Sequence, residues 1–178
     1  MMISSSGIRY IALVSMNFVL LLWIISLFGL VFNLSSSVEI GIYNETPIPD
    51  PIKKNTIMSL CLPTAIQSDV FTNFGIPTGA GRCGGVQPIV KKIVGEPGDT
   101  ISVTENGVIV NGTLLPNSTL SEVVIKGYDW GNIYKDYTLS SGEYFVLGDK
   151  HPDSLDSRYF GPVKKTWFIA ALEPLWLI

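Results

Sequence analysis

Pro88-Ile-Val-Lys-Lys-Ile-Val-Gly-Glu-Pro-Gly-Asp99 is a run of β-branched residues with two adjacent lysines inside it, closed by a Gly-x-Pro-Gly-Asp turn. Valine and isoleucine at this density favour a strand, and Pro-Gly-Asp is turn chemistry. Side chains alternate along a strand, so Lys91 shares a face with Ile89 and Ile93, and Lys92 shares the other with Val90 and Val94. One ammonium therefore leans toward whatever the strand packs against. Burial disfavours the charged form and lowers a lysine's pKa. At an ordinary pKa of about 10.4, a lysine is neutral in roughly one molecule in 2,500 at pH 7. A drop of ~3 units makes it a working general base. The plain alternative is an edge strand whose two solvated lysines discourage aggregation.

The chain on either side extends the β reading. Ile101 to Leu115 alternates and carries two Asn-Gly turns, a hairpin or meander signal. Glu143–Leu147 reads as another short strand, and so does the apolar run Ile57–Leu62. Between them, Thr64 to Gln87 is an irregular excursion, glycine-rich near its end, with a short possible helix around Ala65 to Phe74. Asn44 to Lys54 is a proline-rich connector, and Pro116 to Tyr137 is polar and aromatic without a period. Trp167 to Ile178 is apolar but too short to span a bilayer, so it is a terminal strand or a membrane-surface contact. The whole predicts one mainly β domain over residues 33–178.

A different segment precedes it. Tyr10 to Phe32 has no charge over about 23 residues, enough to cross a bilayer as a helix. That length exceeds the apolar region of a cleavable leader, although Leu34-Ser35-Ser36-Ser37 has the small residues of a cleavage site. Arg9 before the segment, against Glu39, Glu45 and Asp50 after it, places residues 1–9 in the cytoplasm. Residues 10–32 are then a single anchor in the cytoplasmic membrane, with the β domain on the exported, periplasmic side. The formal net charge of -3, without basic clusters, excludes nucleic acid as a partner. The lipid bilayer is the implied one.

Two cysteines and a single histidine are too few for a zinc site, and nothing implies a metal or cofactor. In an exported domain the pair Cys61 and Cys83 points to a disulfide closing the excursion. The alternative is two thiols, one buried in the Ile57–Leu62 strand. For nucleophilic chemistry, Ser35-Ser36-Ser37 follows directly on the apolar segment, and a serine needs an adjacent base. His151, in a turn-like Lys-His-Pro-Asp, is the sole histidine available to a Ser-His-Asp triad. The other option is a serine–lysine pair. A third stretch, Ser154-Leu-Asp156-Ser-Arg158, puts Ser154, Asp156 and Arg158 on one face if it is extended.

In order and content these segments resemble the membrane-bound signal peptidases that use a Ser-Lys dyad, nearest to the conjugative-transfer, TraF-type branch. The matching stretches are Ser37-Val-Glu-Ile-Gly41-Ile-Tyr43, Lys91-Lys-Ile-Val-Gly95-Glu-Pro97-Gly98-Asp99, Ser154-Leu-Asp156-Ser157-Arg158-Tyr159-Phe160-Gly161 and a terminal Ala-x-x-Pro-Leu-Trp176. Two positions depart from the pattern. Glu39 stands where that branch usually has proline, and Lys150 where general signal peptidases usually have asparagine.

The resemblance implies the mostly β signal-peptidase fold with one N-terminal transmembrane helix, and a serine endopeptidase acting on exported precursor proteins. It implies Ser37 as nucleophile and Lys91, the first lysine of the pair, as base. The Ser35 hydroxyl and the Ser37 N–H would form the oxyanion hole. Ser154 would orient the lysine, with Asp156 and Arg158 holding that segment in place. Substrate would add as a strand along Pro88, Ile89 and Val90, with small residues next to the cut. A conjugative pilin or secretion-apparatus precursor is the expected substrate. A general type I signal peptidase, or a non-catalytic assembly subunit of the same fold, are the alternatives.

Overall fold

The computed structural model describes residues 5–27, 29–67 and 78–178. Helix α1 (Ser5–Leu27) is followed by strand β1 (Leu30–Asn33), which pairs antiparallel with β2 (Gly41–Thr46). The apolar run expected to be helical over 10–32 is therefore divided: Leu30, Val31 and Phe32 belong to a strand. Gly29, at φ 64°, makes the break in a backbone region that other residues avoid. Among the described residues no helix is long and apolar enough to cross a membrane.

The β domain is organised around β6 (Ile89–Gly95). On one side it pairs with β3 (Ile57–Leu60), and on the other with β11 (Glu143–Leu147). With β12 (Val163–Lys164) and β13 (Phe168–Leu177), these strands form a seven-stranded antiparallel sheet ordered β1-β2-β13-β3-β6-β11-β12. The apolar C-terminal segment is thus a strand, central in the sheet although last in sequence. Its pairing shifts register between Pro174 and Trp176, a disruption that accommodates the proline's missing N–H.

The expected meander is present as β7 (Thr100–Thr104), β8 (Gly107–Val110) and β9 (Thr113–Leu114), joined by β10 (Asp136–Thr138) in a four-stranded sheet. Asn111 and Gly112, both at positive φ, make the two-residue turn between β8 and β9 that Asn-Gly favours. Two apolar cores result. Met58, Leu60, Ile93, Val146 and Phe168 fill one; Ile101, Val103, Val108, Leu139, Phe145 and Leu147 fill the other. Alternation along β11 splits its side chains between them and so joins the two sheets. Each such buried aliphatic side chain contributes about 2 kcal/mol.

In the excursion, α2 (Thr64–Ile66) covers the start of the expected helix, whose continuation over 68–77 lies outside the described residues. A ribbon of β4 (Thr78–Gly81) and β5 (Gly85–Val86) returns the chain to β6. The disulfide Cys61–Cys83 ties this ribbon to the end of β3. The aperiodic segment 116–137 contains one helical turn and a half, α3 (Glu122–Gly127), capped by the Ser121 side chain on the Val123 N–H.

Candidate active site

The period-two pattern of β6 turns Lys91, Ile93 and Gly95 inward and leaves Lys92 and Val94 partly open. Lys91 is 3% exposed. Its Nζ donates to Ser37 Oγ at 2.8 Å and to Ser154 Oγ at 2.7 Å, and the two hydroxyl oxygens lie 3.1 Å apart. One amine and two hydroxyls, from segments 54 and 63 residues apart from the lysine in sequence, thus meet in a triangle. Burial pushes the Lys91 pKa down to about 8; the nearby Asp156 carboxylate opposes the shift and the Arg158 guanidinium assists it. At pH 7 roughly a tenth of such lysines are neutral and carry the lone pair that can take a hydroxyl proton.

Ser37 sits in the loop between β1 and β2. Asn33, the last residue of β1, donates through Nδ2 to the carbonyls of Ser35 and Glu39, both at 2.9 Å, and accepts the Ser35 N–H at 3.2 Å. Tyr43, fully buried in β2, donates its hydroxyl to the same Glu39 carbonyl at 2.6 Å. The Ser37 N–H donates to Ser35 Oγ at 3.3 Å, so the two groups expected to form the oxyanion hole are adjacent and bonded to each other. A carbonyl oxygen arriving at Ser37 must take over that N–H. The Ser35 hydroxyl, no longer an acceptor, can then turn its own O–H to the same oxygen.

Ser154 is fixed from below by a buried ion pair. Asp156 does not lie on an extended segment with Arg158, as expected, but caps the single-turn helix α4 (Ser157–Phe160) through the Arg158 N–H. The pair forms nonetheless: Arg158 Nε and Nη2 each donate at 2.8 Å to separate Asp156 oxygens, with both side chains out of solvent. The remaining guanidinium bonds go to the carbonyls of Ser154 (3.0 Å) and Thr119 (2.7 Å), and Asp156 also accepts the Gly148 N–H at 2.9 Å. Every charge is thereby matched, the condition under which a buried pair is tolerated. Gly148 has no room for a side chain: a Cβ there would lie 2.0 Å from Ser154 Oγ and 2.9 Å from Ser37 Cβ.

The triangle opens into a cleft of about 520 Å³ lined by Asn33 to Ser37, Pro88 to Lys91, Val124, His151 and Ser154 among others. On its β3 side β6 is paired along Ile89–Lys92, whereas pairing with β11 begins only at Lys92. Ile89 to Lys91 therefore present an open strand edge to the cleft, the geometry that accepts an extended peptide. His151 lines the cleft but not the triangle; its Nδ1 accepts the Asp153 N–H at 3.1 Å.

The family described as Signal peptidase, peptidase S26, matches residues 8–176. The chain belongs to that family. Plasmid transfer protein TraF of Escherichia coli is 30% identical over 171 residues, 94% of each chain. Signal peptidase I V of Bacillus subtilis (strain 168) is 34% identical over 93 residues, 48% of this chain and 55% of that one. A signal peptidase I structure from Enterococcus faecalis V583, 23% identical, superposes with a TM-score of 0.37 over 68% of this chain and 97% of that chain, too loosely to add to the assignment.

Within this signal-peptidase chain the two departures from the family pattern prove to be one feature. Lys150 Nζ lies 2.7 Å from Glu39 Oε1, and the Lys150 N–H donates to the Ser37 carbonyl at 3.3 Å. Lys92 is turned away from the cleft's triangle and pairs with Asp149. The disulfide joins Cys61 and Cys83 as expected. The residues expected to act as nucleophile, base, oxyanion donors and substrate edge line the cleft with Ser154, and Asp156 and Arg158 form the ion pair beside it. Asn33 and Gly148 were not foreseen. Asn33 directly follows the run read as membrane helix, where nothing in the sequence marks the end of a strand. Gly148, in Leu-Gly-Asp, marks a close approach that only the fold defines.

Proposed function

We propose that this chain is a membrane-anchored serine endopeptidase that cuts exported precursor proteins with Ser37 as nucleophile and Lys91 as general base. The observation carrying this reading is the buried Lys91 Nζ, pushed down to a pKa of about 8, within 2.8 Å of Ser37 Oγ. Ser37 Oγ attacks the carbonyl carbon of the scissile peptide while its proton passes to neutral Lys91. The oxyanion takes the Ser37 N–H and the Ser35 hydroxyl, donors of a kind worth roughly 3–4 kcal/mol each to a transition state. Lys91 then protonates the leaving amine, and the C–N bond breaks to leave an ester on Ser37. Water, deprotonated by the same lysine, hydrolyses the ester and restores both groups. Ser154 keeps the Nζ directed at Ser37 through the cycle.

The anchor in this reading is α1, whose apolar side chains from Ile8 to Leu20 stand half or more exposed, a surface that water disfavours and lipid does not. Arg9 near its start favours a cytoplasmic N-terminus, and the Cys61–Cys83 disulfide favours an oxidising compartment for the β domain. A pilin or secretion-apparatus precursor is the substrate we favour. Resemblance to the plasmid transfer protein extends over 94% of the chain, against 48% for the Bacillus signal peptidase.

Incubating the full chain in detergent with a conjugative pilin precursor, followed by intact-mass analysis, tests both parts. Cleavage by the native chain and none by Ser37→Ala or Lys91→Ala is expected. Turnover surviving either substitution rules out the dyad. Cleavage of generic secretory preproteins, with the pilin untouched, assigns a general signal peptidase instead, and no cleavage of either favours the assembly role.

A further inference from the structure

We propose that Asn33 is a positioning residue for the reaction at Ser37, its carboxamide holding the Ser35–Glu39 loop in the shape that aims the Ser35 hydroxyl and the Ser37 N–H at one oxygen. The proposal rests on the reading of Ser37 as nucleophile. The loop has no ladder of its own to define it. Its backbone between Ser35 and Glu39 is fixed instead by a few single bonds, and three of them come from this one side chain. Asn33 is 4% exposed, so its own donors and acceptor are largely shielded from water. Both its amide hydrogens and its oxygen are used on loop backbone.

The choice of residue follows from that arrangement. A primary amide is the side chain that offers two donors and an acceptor on one short stem. By gripping the N–H and the C=O of Ser35 together, Asn33 sets the orientation of the Ser35 peptide units and hence the direction of its Oγ. By gripping the Glu39 carbonyl alongside the Tyr43 hydroxyl, it closes the loop at its far end. Val38, fully buried, holds the intervening backbone down, leaving Ser37 raised toward Lys91. Aspartate in place of Asn33 would keep the bond from the Ser35 N–H but set a carboxylate oxygen against two carbonyls. Alanine would release both Ser35 backbone groups to solvent and leave the Glu39 carbonyl to the Tyr43 hydroxyl alone. In either case the two oxyanion donors lose their common focus, and displacements of about 1 Å at such a site cost on the order of a hundredfold in rate.

Asn33 makes no contact with Lys91, Ser154 or the Asp156–Arg158 pair among the hydrogen bonds described, so its loss should spare the base. The test uses the full chain in detergent with Asn33→Ala and, should alanine fail to fold, Asn33→Asp. On a synthetic peptide with alanine before the cut, kcat should fall roughly 30- to 100-fold with KM within about threefold, as expected when a transition-state interaction is removed. The rise of activity with pH should keep its midpoint in Asn33→Ala. Amide hydrogen exchange over residues 35–39 should quicken at least about tenfold while β6 and β11 stay protected. A kcat within about threefold of the native chain, or faster exchange spread over the whole domain, overturns the proposal. A native chain that cleaves no peptide refutes the peptidase reading instead, and the exchange measurement still decides whether Asn33 shapes the loop.

Discussion

Two neighbouring lysines on one strand occupy opposite surroundings in this molecule. Lys91 is dry and touches two hydroxyls. Lys92, one residue on and facing the other way, is partly open and touches the Asp149 carboxylate. The difference shows what a lysine needs to act as a base: exclusion from water, and no carboxylate free to hold its proton. The nearest carboxylate to Lys91, Asp156, is already taken by two bonds from Arg158. Its attraction for a proton on Lys91 is opposed by the guanidinium, and burial, the largest influence, decides the outcome. The ion pair therefore orients Ser154 through its carbonyl and keeps the field around the base close to neutral.

The comparison breaks most visibly at Lys91 itself. Lys91→Met should reduce precursor cleavage at least about a thousandfold, and it should also stabilise the fold at neutral pH. With a native pKa of about 8 against 10.5 unfolded, the folded chain binds fewer protons between these values. Native stability should then rise with pH across that window and be lowest below it, where the full penalty of a buried ammonium applies. The penalty is on the order of 3 kcal/mol. Methionine avoids it, so the advantage of Lys91→Met in urea unfolding should be largest near pH 7 and vanish by about pH 10.5. An advantage independent of pH would mean that Lys91 is not held against its charged form. With Lys91 as the proposed base, the same pKa predicts cleavage by the native chain that climbs as pH rises and levels above about 8.

Arg158→Met tests the neutral field. Removing one partner of a buried pair costs about 3–5 kcal/mol, because the other charge is left alone. Asp156, no longer matched, should also raise the Lys91 pKa, moving the rise of activity to higher pH and recovering part of the loss there. A pH profile left in place while stability falls would confine Arg158 to a scaffold role.

How much of this was open to a reader of the sequence depends on the range of the interactions. β6, the meander and its Asn-Gly turn are written in period-two alternation and turn residues, which act over a few positions. Lys91 was separable from Lys92 only through family resemblance, because alternation says that the two differ and not which faces inward. α4 is a single turn, too short for any period, and its cap on Asp156 looks like part of an extended segment. The C-terminal strand has a strand's composition, yet its place between β2 and β3 is set by the pairing of distant segments. Asn33 was hidden by position: the apolar run continues through Phe32, so the end of the helix at Leu27 and the strand beyond it left no hydropathic mark.

Lys92→Ala should cost far less than any change at Lys91, with cleavage within about fivefold of native, since a partly exposed ion pair contributes about 0–1 kcal/mol. A loss comparable to that of Lys91→Ala would show that the two faces of β6 are not independent.

The smallest effect is expected at a third lysine. Lys150 is about half exposed and bonds Glu39, whose carboxyl that hydrogen bond holds below its ordinary range. Glu39 stands where the resembling conjugative-transfer branch usually has proline and Lys150 where general signal peptidases usually have asparagine, and here the two side chains meet as a charge pair across the loop. Exposure limits its value to about 1 kcal/mol or less, and salt should weaken it further. Glu39→Gln and Lys150→Asn should each alter kcat/KM less than about fivefold at ordinary ionic strength, with little coupling between them in the double variant. What makes the pair worth testing is the Lys150 N–H on the Ser37 carbonyl, which joins the same residue to the nucleophile through backbone. If either single substitution costs more than about tenfold and the reversed pair Glu39→Lys with Lys150→Glu restores activity, the charges themselves hold the nucleophile loop, and an exposed lysine with a carboxylate partner contributes to cleavage beside the buried one without.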